Sequence, residues 1–284
     1  MNIKPSLRLI DAQAAKTHGW QPVADHKFAL SLPAVAVQLS EIGALVPTAP
    51  LAFAKLGPDQ FALVAVTGFA DGRNQLIDDQ GRWCVQYQPI ELRCYPFGAQ
   101  PIAQNNEGPT TFGVCFNHDS GLYREAPDES LGQQRFFSDS GQPMPGFTQI
   151  TELLRHSRVQ QQLTQRAVKA LQDAELMTPW QVTAPAGAGG ESLPKGLYRV
   201  DEVKLNQLKG GTLEQLHQVH ALGLAYAQLL SMSRLAVLKR LKDVHAAKRQ
   251  GAQLSEARTP PAPDLALVKQ LFEPNQSDTI KFNW

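Results

Sequence analysis

The chain has 284 residues, of which 43% are hydrophobic and 19% charged, so it can bury a sizeable core as one large domain or two small ones. Its 27 lysines and arginines nearly balance its 26 aspartates and glutamates. The formal net charge of +1 provides no global field that would attract nucleic acid or an anionic membrane, so no nucleic-acid partner is predicted.

The amino terminus and the hydropathy pattern predict a cytoplasmic protein. Lys4, Pro5 and Arg8 interrupt the apolar core that a signal peptide would need. The chain also lacks the run of about 18 consecutive apolar residues expected of a membrane-spanning helix, so no transmembrane segment is predicted. The odd number of cysteines, without C-x-x-C spacing, fits a reducing compartment. Association with the cell surface would require a route other than general secretion.

The first half of the chain begins with a polar lead-in, residues 1–27, and continues with elements broken by prolines. A short helix is expected within residues 34–45. The alternation of β-branched and aromatic residues predicts strands at 51–55 and 61–67, connected by a turn at 57–59.

Two further turns follow, at 71–74 and 78–81, each with a glycine where φ can become positive. A short strand is expected between them at 75–77. Residues 82–87 alternate apolar and polar, which predicts a strand with one buried face that leaves the sheet at Pro89. Consecutive short strands connected by tight turns indicate an antiparallel meander.

The second half of the chain is richer in helix. From Pro145 apolar residues recur every three or four positions, which predicts a helix that ends before Thr178-Pro179. Residues 180–183 and 196–200 are expected to form two strands of a hairpin. A capping-box pattern at Thr212 opens a helix predicted to reach residue 248.

These elements predict an α+β fold, in which an antiparallel β-meander in the amino-terminal half packs with a helical carboxy-terminal half through a small linking hairpin. The predicted organisation is a lead-in at 1–27, one domain at 28–248 and a flexible tail at 249–284. Within the domain, 28–144 is β-rich and 145–248 helix-rich.

Arginines and aromatic residues concentrate in the middle of the first half. The candidate binding residues are Arg82, Trp83, Tyr87, Arg93, Tyr95 and Phe97. Guanidinium groups beside aromatic faces can recognise anions, peptides or sugars. The same composition also builds an ordinary sheet edge, so a scaffold role remains the alternative.

The spacing of three residues in the second half of the chain suggests a metal-binding site. Glu214, His217 and His220 occur three residues apart, on roughly one side of the predicted long helix. A Glu-x-x-His pair supplies half of a di-iron site in helical bundles, but such a site needs a second pair and two more glutamates, which are not evident. A solvated polar face is the alternative reading, and no cofactor is predicted. His118-Asp119, in a polar loop, is a further candidate catalytic pair.

Five segments carry a resemblance to a known family. They are Gly81-Arg82-Trp83, Tyr87-Gln88-Pro89, Arg93-Cys94-Tyr95-Pro96-Phe97, residues 196–202 (GLYRVDE) and residues 226–231 (YAQLLS). In this order, spread over about residues 28–242, they resemble the SapC family of bacterial proteins. Two segments depart from the family pattern. Residues 49–53 are Ala-Pro-Leu-Ala-Phe where relatives tend to have Tyr-Pro-Ile-Val-Phe, and residues 74–76 are Asn-Gln-Leu instead of Asn-Leu-Phe.

The resemblance implies a link with bacterial surface-layer protein, and relatives look like companions of outer-membrane receptor and flavin-dependent halogenase genes. It supplies no catalytic residues. The leading hypothesis is a soluble accessory or binding protein for cell-surface or uptake machinery, with a bacterial envelope or surface-layer protein as partner. The alternative is an enzyme, possibly metal-dependent, whose site lies between sheet and helices and involves His118, His217 or His220.

Overall fold

The computed structural model describes residues 6–102, 111–182 and 191–258. The chain divides into two compact units, Met1–Lys242 and Asp243–Trp284. The described part of the second unit is the carboxy-terminal portion of one helix, and residues 259–284 of the predicted tail lie outside the description.

The described residues form short strands and helices of very different lengths. The strands are β1 Leu7–Leu9, β2 Gly19–Trp20, β3 Ala34–Ala36, β4 Leu51–Gly57, β5 Gln60–Val66, β6 Phe97–Pro101, β7 Phe112–Asn117, β8 Tyr123–Arg124, β9 Gln134–Arg135, β10 Met177–Pro179 and β11 Leu197–Val200. The α-helices are α1 Ile42–Leu45, α2 Ile90–Cys94, α3 Pro145–Asp173, α4 Glu202–Gln207, α5 Gly211–Gln218, α6 Ala221–Ser231 and α7 Leu235–Arg258.

The largest sheet has the strand order β10-β11-β4-β5-β3, and each neighbouring pair is antiparallel. Its centre is the β4–β5 hairpin, whose residues Leu51, Phe53 and Ala65 are fully buried. The α+β class and the antiparallel pairing of this hairpin are confirmed. The predicted linking hairpin pairs as β10 with β11, but β10 begins three residues before the predicted strand and β11 joins the main sheet beside β4.

Two small sheets, β1-β7-β6 and β8-β2-β9, make the second part of the first unit. Both include strands from the segment interpreted as a lead-in, because β1 and β2 lie before residue 28. Trp20 in β2 is 5% exposed and stacks on Phe136 at 5.2 Å. The amino-terminal segment is therefore part of the packed structure from residue 7 onward.

Helix α3 connects the two parts of the core. Phe147 and Leu154 near its start pack in an aromatic cluster with β6 and β7. Ala167, Val168 and Leu171 near its end pack in the cluster that contains β4, β5, α5 and α6. One amphipathic helix thus packs against the main sheet and against the small sheet that contains β6 and β7.

Several local predictions in the first half were wrong. Residues 34–36 form β3, paired with β5, and only Ile42–Leu45 of the expected helix at 34–45 is α-helical. The expected strands at 75–77 and 82–87 do not form; the described structure has only isolated bridges there, including one between Ile77 and Trp83. Instead of a strand ladder, the backbone N–H groups of Leu76 and Arg82 donate to the side-chain oxygens of Asn74 and Asp78.

The long helix predicted from 212 to 248 is also wrong, because it is divided into α5, α6 and α7. His220 has φ of +61°, a left-handed conformation that ends α5 and starts α6. Leu216 of α5 and Leu224 of α6, on either side of this turn, both pack in the same core.

Within the described residues, one helical stretch, Ala221–Gly251, is long and apolar enough by composition to cross a membrane. One third of its most apolar window is buried. Leu224, Ala225 and Leu238 of this stretch lie in the core of the first unit. A core helix passes the same length and hydropathy test, so the finding is weak evidence for a membrane span.

Candidate binding surface

Four half-buried aromatic side chains form a continuous row in the first unit. In spatial order they are Trp83, His26, Phe28 and Tyr95. The ring centroids of Trp83 and His26 lie 5.9 Å apart, and those of His26 and Phe28 lie 6.1 Å apart. Phe28 then stacks on Tyr95 at 3.8 Å with 4° between the ring planes. We call these four residues the aromatic row.

A carboxylate-centred turn sets the position of Trp83. Asp78 Oδ1 accepts hydrogen bonds from the backbone N–H groups of Gln80 and Arg82 at 3.0 and 2.9 Å, and Oδ2 accepts from Arg82 Nε at 2.8 Å. These hydrogen bonds hold the pKa of Asp78 below its usual value, and the bond from the Arg82 N–H is the largest cause. Gly81 has φ of +85°, which favours glycine. The Gly81-Arg82-Trp83 motif therefore builds a rigid turn.

The Trp83 side chain is fastened at its polar edge. Its Nε1 donates a hydrogen bond to the carbonyl of Tyr87 at 2.9 Å, and its ring packs against two clusters of buried residues, one of which contains Ile77. The indole nitrogen is thereby satisfied while part of the ring remains accessible. Arg82 beside it has a side chain that is 69% exposed.

A buried carboxylate anchors Tyr87. Glu41 is 1% exposed, and it accepts from the N–H groups of Gln38 and Ile90, each at 2.8 Å, and from the Tyr87 hydroxyl at 3.2 Å. Burial raises the pKa of Glu41, although the two backbone bonds, Tyr87 and Arg93 act in the opposite direction. Burial and the Glu41 carboxyl raise the pKa of Tyr87. The Tyr87 hydroxyl therefore has a structural role, because it donates to the buried Glu41 carboxylate.

The segment after α2 divides between the surface and the core. Arg93 is exposed, and Tyr95 is half-buried against Phe28, where burial raises the pKa of its hydroxyl. Phe97 is only 7% exposed and packs edge-on against Trp20 at 5.2 Å in the aromatic cluster. The structure thus places Phe97 apart from the other candidate binding residues.

The aromatic row contains two residues that the sequence analysis missed. His26 and Phe28 lie in and just after the segment interpreted as a lead-in, and no periodicity there indicated a shared surface. In the sequence, only the closeness of these two ring-bearing residues could have indicated the surface. In the structure His26 precedes the short 3-10 helix Lys27–Ala29, and Phe28 lies within it. Whether the six predicted residues bind a partner stays a prediction.

The candidate metal ligands are not brought together. Glu214 and His217 lie on α5, but the helix ends at Gln218, and His220 follows in a left-handed conformation. Among the residues that the structure describes, no group of three or more histidines, cysteines, aspartates or glutamates is arranged to hold a metal ion. Because the helix ends between His217 and His220, the spacing of three residues no longer places Glu214, His217 and His220 on one helical face.

His118 and Asp119 point to different partners. His118 stacks on Tyr123 at 4.2 Å, and burial, with Arg8 as a smaller cause, lowers its pKa. Asp119 Oδ2 accepts a hydrogen bond from the backbone N–H of Ser6 at 3.0 Å. Tyr123 in turn makes a 2.6 Å hydrogen bond to His18 Nδ1. These contacts connect strands, and the pair is not arranged as a catalytic dyad.

A cleft does lie between sheet and helix, where the enzymatic hypothesis placed a site. It has a volume of about 310 Å³ and opens between the β6–β7 pair and α3. Its strand side includes Ala99, Phe112 and Val114, and its helix side includes Leu154 and Arg158. His118, His217 and His220 are not among its lining residues.

Comparison with known protein families finds one match. The SapC family model matches residues 10–238, which cover the main sheet, the two small sheets except strand β1, the aromatic row and α3. No curated protein and no solved structure matches the chain. Because the matched residues make up most of the sequence, this chain belongs to the SapC family.

Proposed function

We propose that this chain is a non-catalytic binding protein that holds a segment of a bacterial envelope protein on the aromatic row. The observation that carries the proposal is the unbroken contact from Trp83 through His26 and Phe28 to Tyr95. Partly exposed aromatic rings offer large apolar area at low conformational cost, and such residues are enriched where proteins bind one another.

Local hydrogen bonds hold the Trp83 end of the row in place. Trp83 is fixed by its bond to the Tyr87 carbonyl, and the turn beneath it is fixed by Asp78. A preorganised surface loses little side-chain entropy on binding, so more of the contact energy contributes to affinity.

The two ends of the row carry exposed cations. Arg82 lies next to Trp83, and Arg93 is two residues before Tyr95. Asp78 forms a close ion pair with Arg82, whereas Arg93 interacts with Tyr87 and acts on the buried Glu41 carboxyl without an ion pair within 4 Å among the described residues, so Arg93 is the better candidate to meet an acidic group. The proposed partner segment is therefore apolar or aromatic along its length, with an acidic residue near the Tyr95 end. Its assignment to an envelope protein follows from the surface-layer and receptor associations that the SapC resemblance implies.

The enzymatic alternative has less support from the described residues. The cleft between sheet and α3 is lined by arginine, threonine, glutamine and apolar side chains, and the three histidines of that hypothesis are not among its lining residues. In the described part of the chain, these histidines do not lie together in one site.

Cys84 provides a direct test, because it is exposed beside Trp83 whereas Cys94 and Cys115 are buried. A benzophenone attached to Cys84 through a maleimide is expected to cross-link one envelope protein when the labelled chain is mixed with solubilised envelope. Mass spectrometry would identify the captured protein. The purified partner should then bind the unlabelled chain.

Variants decide whether the row is responsible. Phe28→Ala and Arg93→Ala should each lower the affinity for the purified partner by about tenfold or more. Tyr226→Ala is the matched control, since Tyr226 is a 48% exposed aromatic residue on α6 outside the row. Equal binding by wild type and both row variants, with circular dichroism showing that they fold, would refute the proposal.

A further inference from the structure

We propose that the cleft between the β6–β7 pair and α3 binds a small amphiphilic anion, an alkyl carboxylate of about eight carbons, with its charged end at Arg158. The site shares no residue with the aromatic row, so this inference is independent of the proposed function.

The cleft lies where one face of the β6–β7 pair carries small side chains between larger ones, Phe97 and Phe116 on one side and Phe112 on the other. Phe97 lies opposite Phe116, and the two rings fill the space beneath α3. Two residues further along β6, on the same face, Ala99 lies opposite Val114. These smaller side chains fill less of the space beneath α3, and both line the cleft.

The interior of the cleft is largely apolar. Ala99, Phe112 and Val114 line the strand side and Leu154 lines the helix side, while Val159 lies at the exposed edge and Thr151 and Gln162 add polar groups. The volume of about 310 Å³ is near the lower end of the range for small-molecule sites and holds about ten groups the size of water, at roughly 30 Å³ each. An eight-carbon chain with a carboxylate has this size.

The mouth of the cleft carries two arginines in different states. Arg155 donates through Nε and Nη2 to Glu152 at 3.0 and 2.8 Å, so its charge is already paired. Arg158 is half-buried, and its guanidinium carbon lies 4.1 Å from the Phe112 ring centroid.

Arg158 also keeps donors for an anion. Its Nη1 donates to the neutral side chain of Gln161 at 2.7 Å, and among the described residues it forms no ion pair. A guanidinium has five N–H donors in a planar fork that suits a carboxylate. The ring beneath it excludes water from one face, which strengthens its attraction for a negative group.

Charge and shape together select the ligand class. The apolar walls favour an alkyl chain, and the partly desolvated guanidinium at the opening favours a carboxylate over a neutral head group. A neutral alcohol of equal length would fill the same space but would leave the cation without a counter-ion.

Isothermal titration calorimetry of the full chain with octanoate and with 1-octanol tests the inference. Octanoate is expected to bind with one site per chain and at least about tenfold more tightly than the alcohol, because a hydrogen bond to a charged group discriminates by that order. Failure of octanoate to bind at millimolar concentration, or equal binding of the alcohol, would overturn the inference.

Four variants locate the site. Arg158→Gln should weaken octanoate binding about tenfold or more, whereas Arg158→Lys should recover part of the affinity. Arg155→Gln is the matched control and should change the affinity less than about threefold, since its charge is already paired. Val159→Trp, at a 51% exposed position, should block the opening. Unchanged binding in Arg158→Gln or in Val159→Trp would contradict the assignment.

Discussion

The side chain of Gln228 accepts a hydrogen bond from the backbone N–H of Val200 at 2.9 Å. Through Nε2 it also donates to the carbonyl of Leu51 at 3.1 Å. Val200 is on β11 and Leu51 on β4, beyond the last residues that these strands pair directly. Gln228 thus bridges two strands where their backbone ladder stops, and Ser231 extends the bridge by accepting from the Leu51 N–H at 2.8 Å.

Replacement of Gln228 by leucine should destabilise the fold strongly. Gln228 is fully buried, so Gln228→Leu leaves the Val200 N–H and the Leu51 carbonyl without partners, at a cost of about 2 to 5 kcal/mol in the free energy of unfolding. Urea denaturation followed by circular dichroism measures this. Gln218→Leu, on the exposed side of α5, is the control and should cost less than about 0.5 kcal/mol. Similar losses for both variants would show that the bridge contributes nothing.

Glu41 should also be sensitive to substitution, because it satisfies three donors in the interior. In Glu41→Gln the side-chain oxygen can still accept from Ile90 and Tyr87, but the new amide faces the N–H of Gln38. We expect a loss of about 1 to 3 kcal/mol for Glu41→Gln and a larger loss for Glu41→Ala. Denaturant titrations at pH 7 compare the two. A glutamine variant less stable than the alanine variant would contradict this account.

The pH dependence of Glu41 has a defined sign. Its pKa is raised in the folded state above the usual value of 4.5, so between the two pKa values the folded chain binds more protons than the unfolded chain. The Glu41 contribution to stability is therefore largest below pH 4.5 and decreases as the pH rises to the folded-state pKa. The unfolding free energy of wild type minus that of Glu41→Gln should fall over this window. A difference that rises with pH would show that the folded-state pKa is lowered.

Local signals explain which elements could be predicted from the sequence. The β4–β5 hairpin follows from two β-rich runs around Gly57-Pro58-Asp59, and the start of α3 follows from Pro145 and the apolar spacing after it. Strand β3 could not be predicted, because its pairing with β5 is non-local. The break at His220 carries no glycine or proline at that position, so no local sequence signal predicts its left-handed conformation.

The binding surface was partly predictable for the same reason. Trp83 and Tyr95 stand out by composition near Arg82 and Arg93, but their neighbours His26 and Phe28 come from a segment more than fifty residues earlier. Phe97 shares the composition of the surface residues and yet is buried, since β6 turns it toward Trp20. Composition identifies such a region, and only tertiary packing decides which rings remain accessible.

The turn below Trp83 separates the roles of Asp78 and Arg82. Asp78→Ala removes acceptors for two backbone N–H groups and should lower the free energy of unfolding by about 1 to 3 kcal/mol. Arg82→Ala removes a guanidinium that is 69% exposed and leaves Asp78 its two backbone N–H donors, so it should cost less than about 1 kcal/mol. Urea denaturation followed by tryptophan fluorescence compares them. An Arg82 variant as unstable as the Asp78 variant would mean that the guanidinium itself maintains the turn.

The three cysteines should differ sharply in reactivity. Burial, with Glu91 as a smaller cause, raises the pKa of Cys94 to about 12, and burial also raises the pKa of Cys115. Since the thiolate is the reactive form, neither should react quickly with Ellman's reagent at pH 8, whereas exposed Cys84 should. We expect one fast thiol per native chain, three after denaturation in guanidinium chloride, and no fast phase in Cys84→Ser. A second fast thiol in the native protein would show that the packing around Cys94 or Cys115 opens readily.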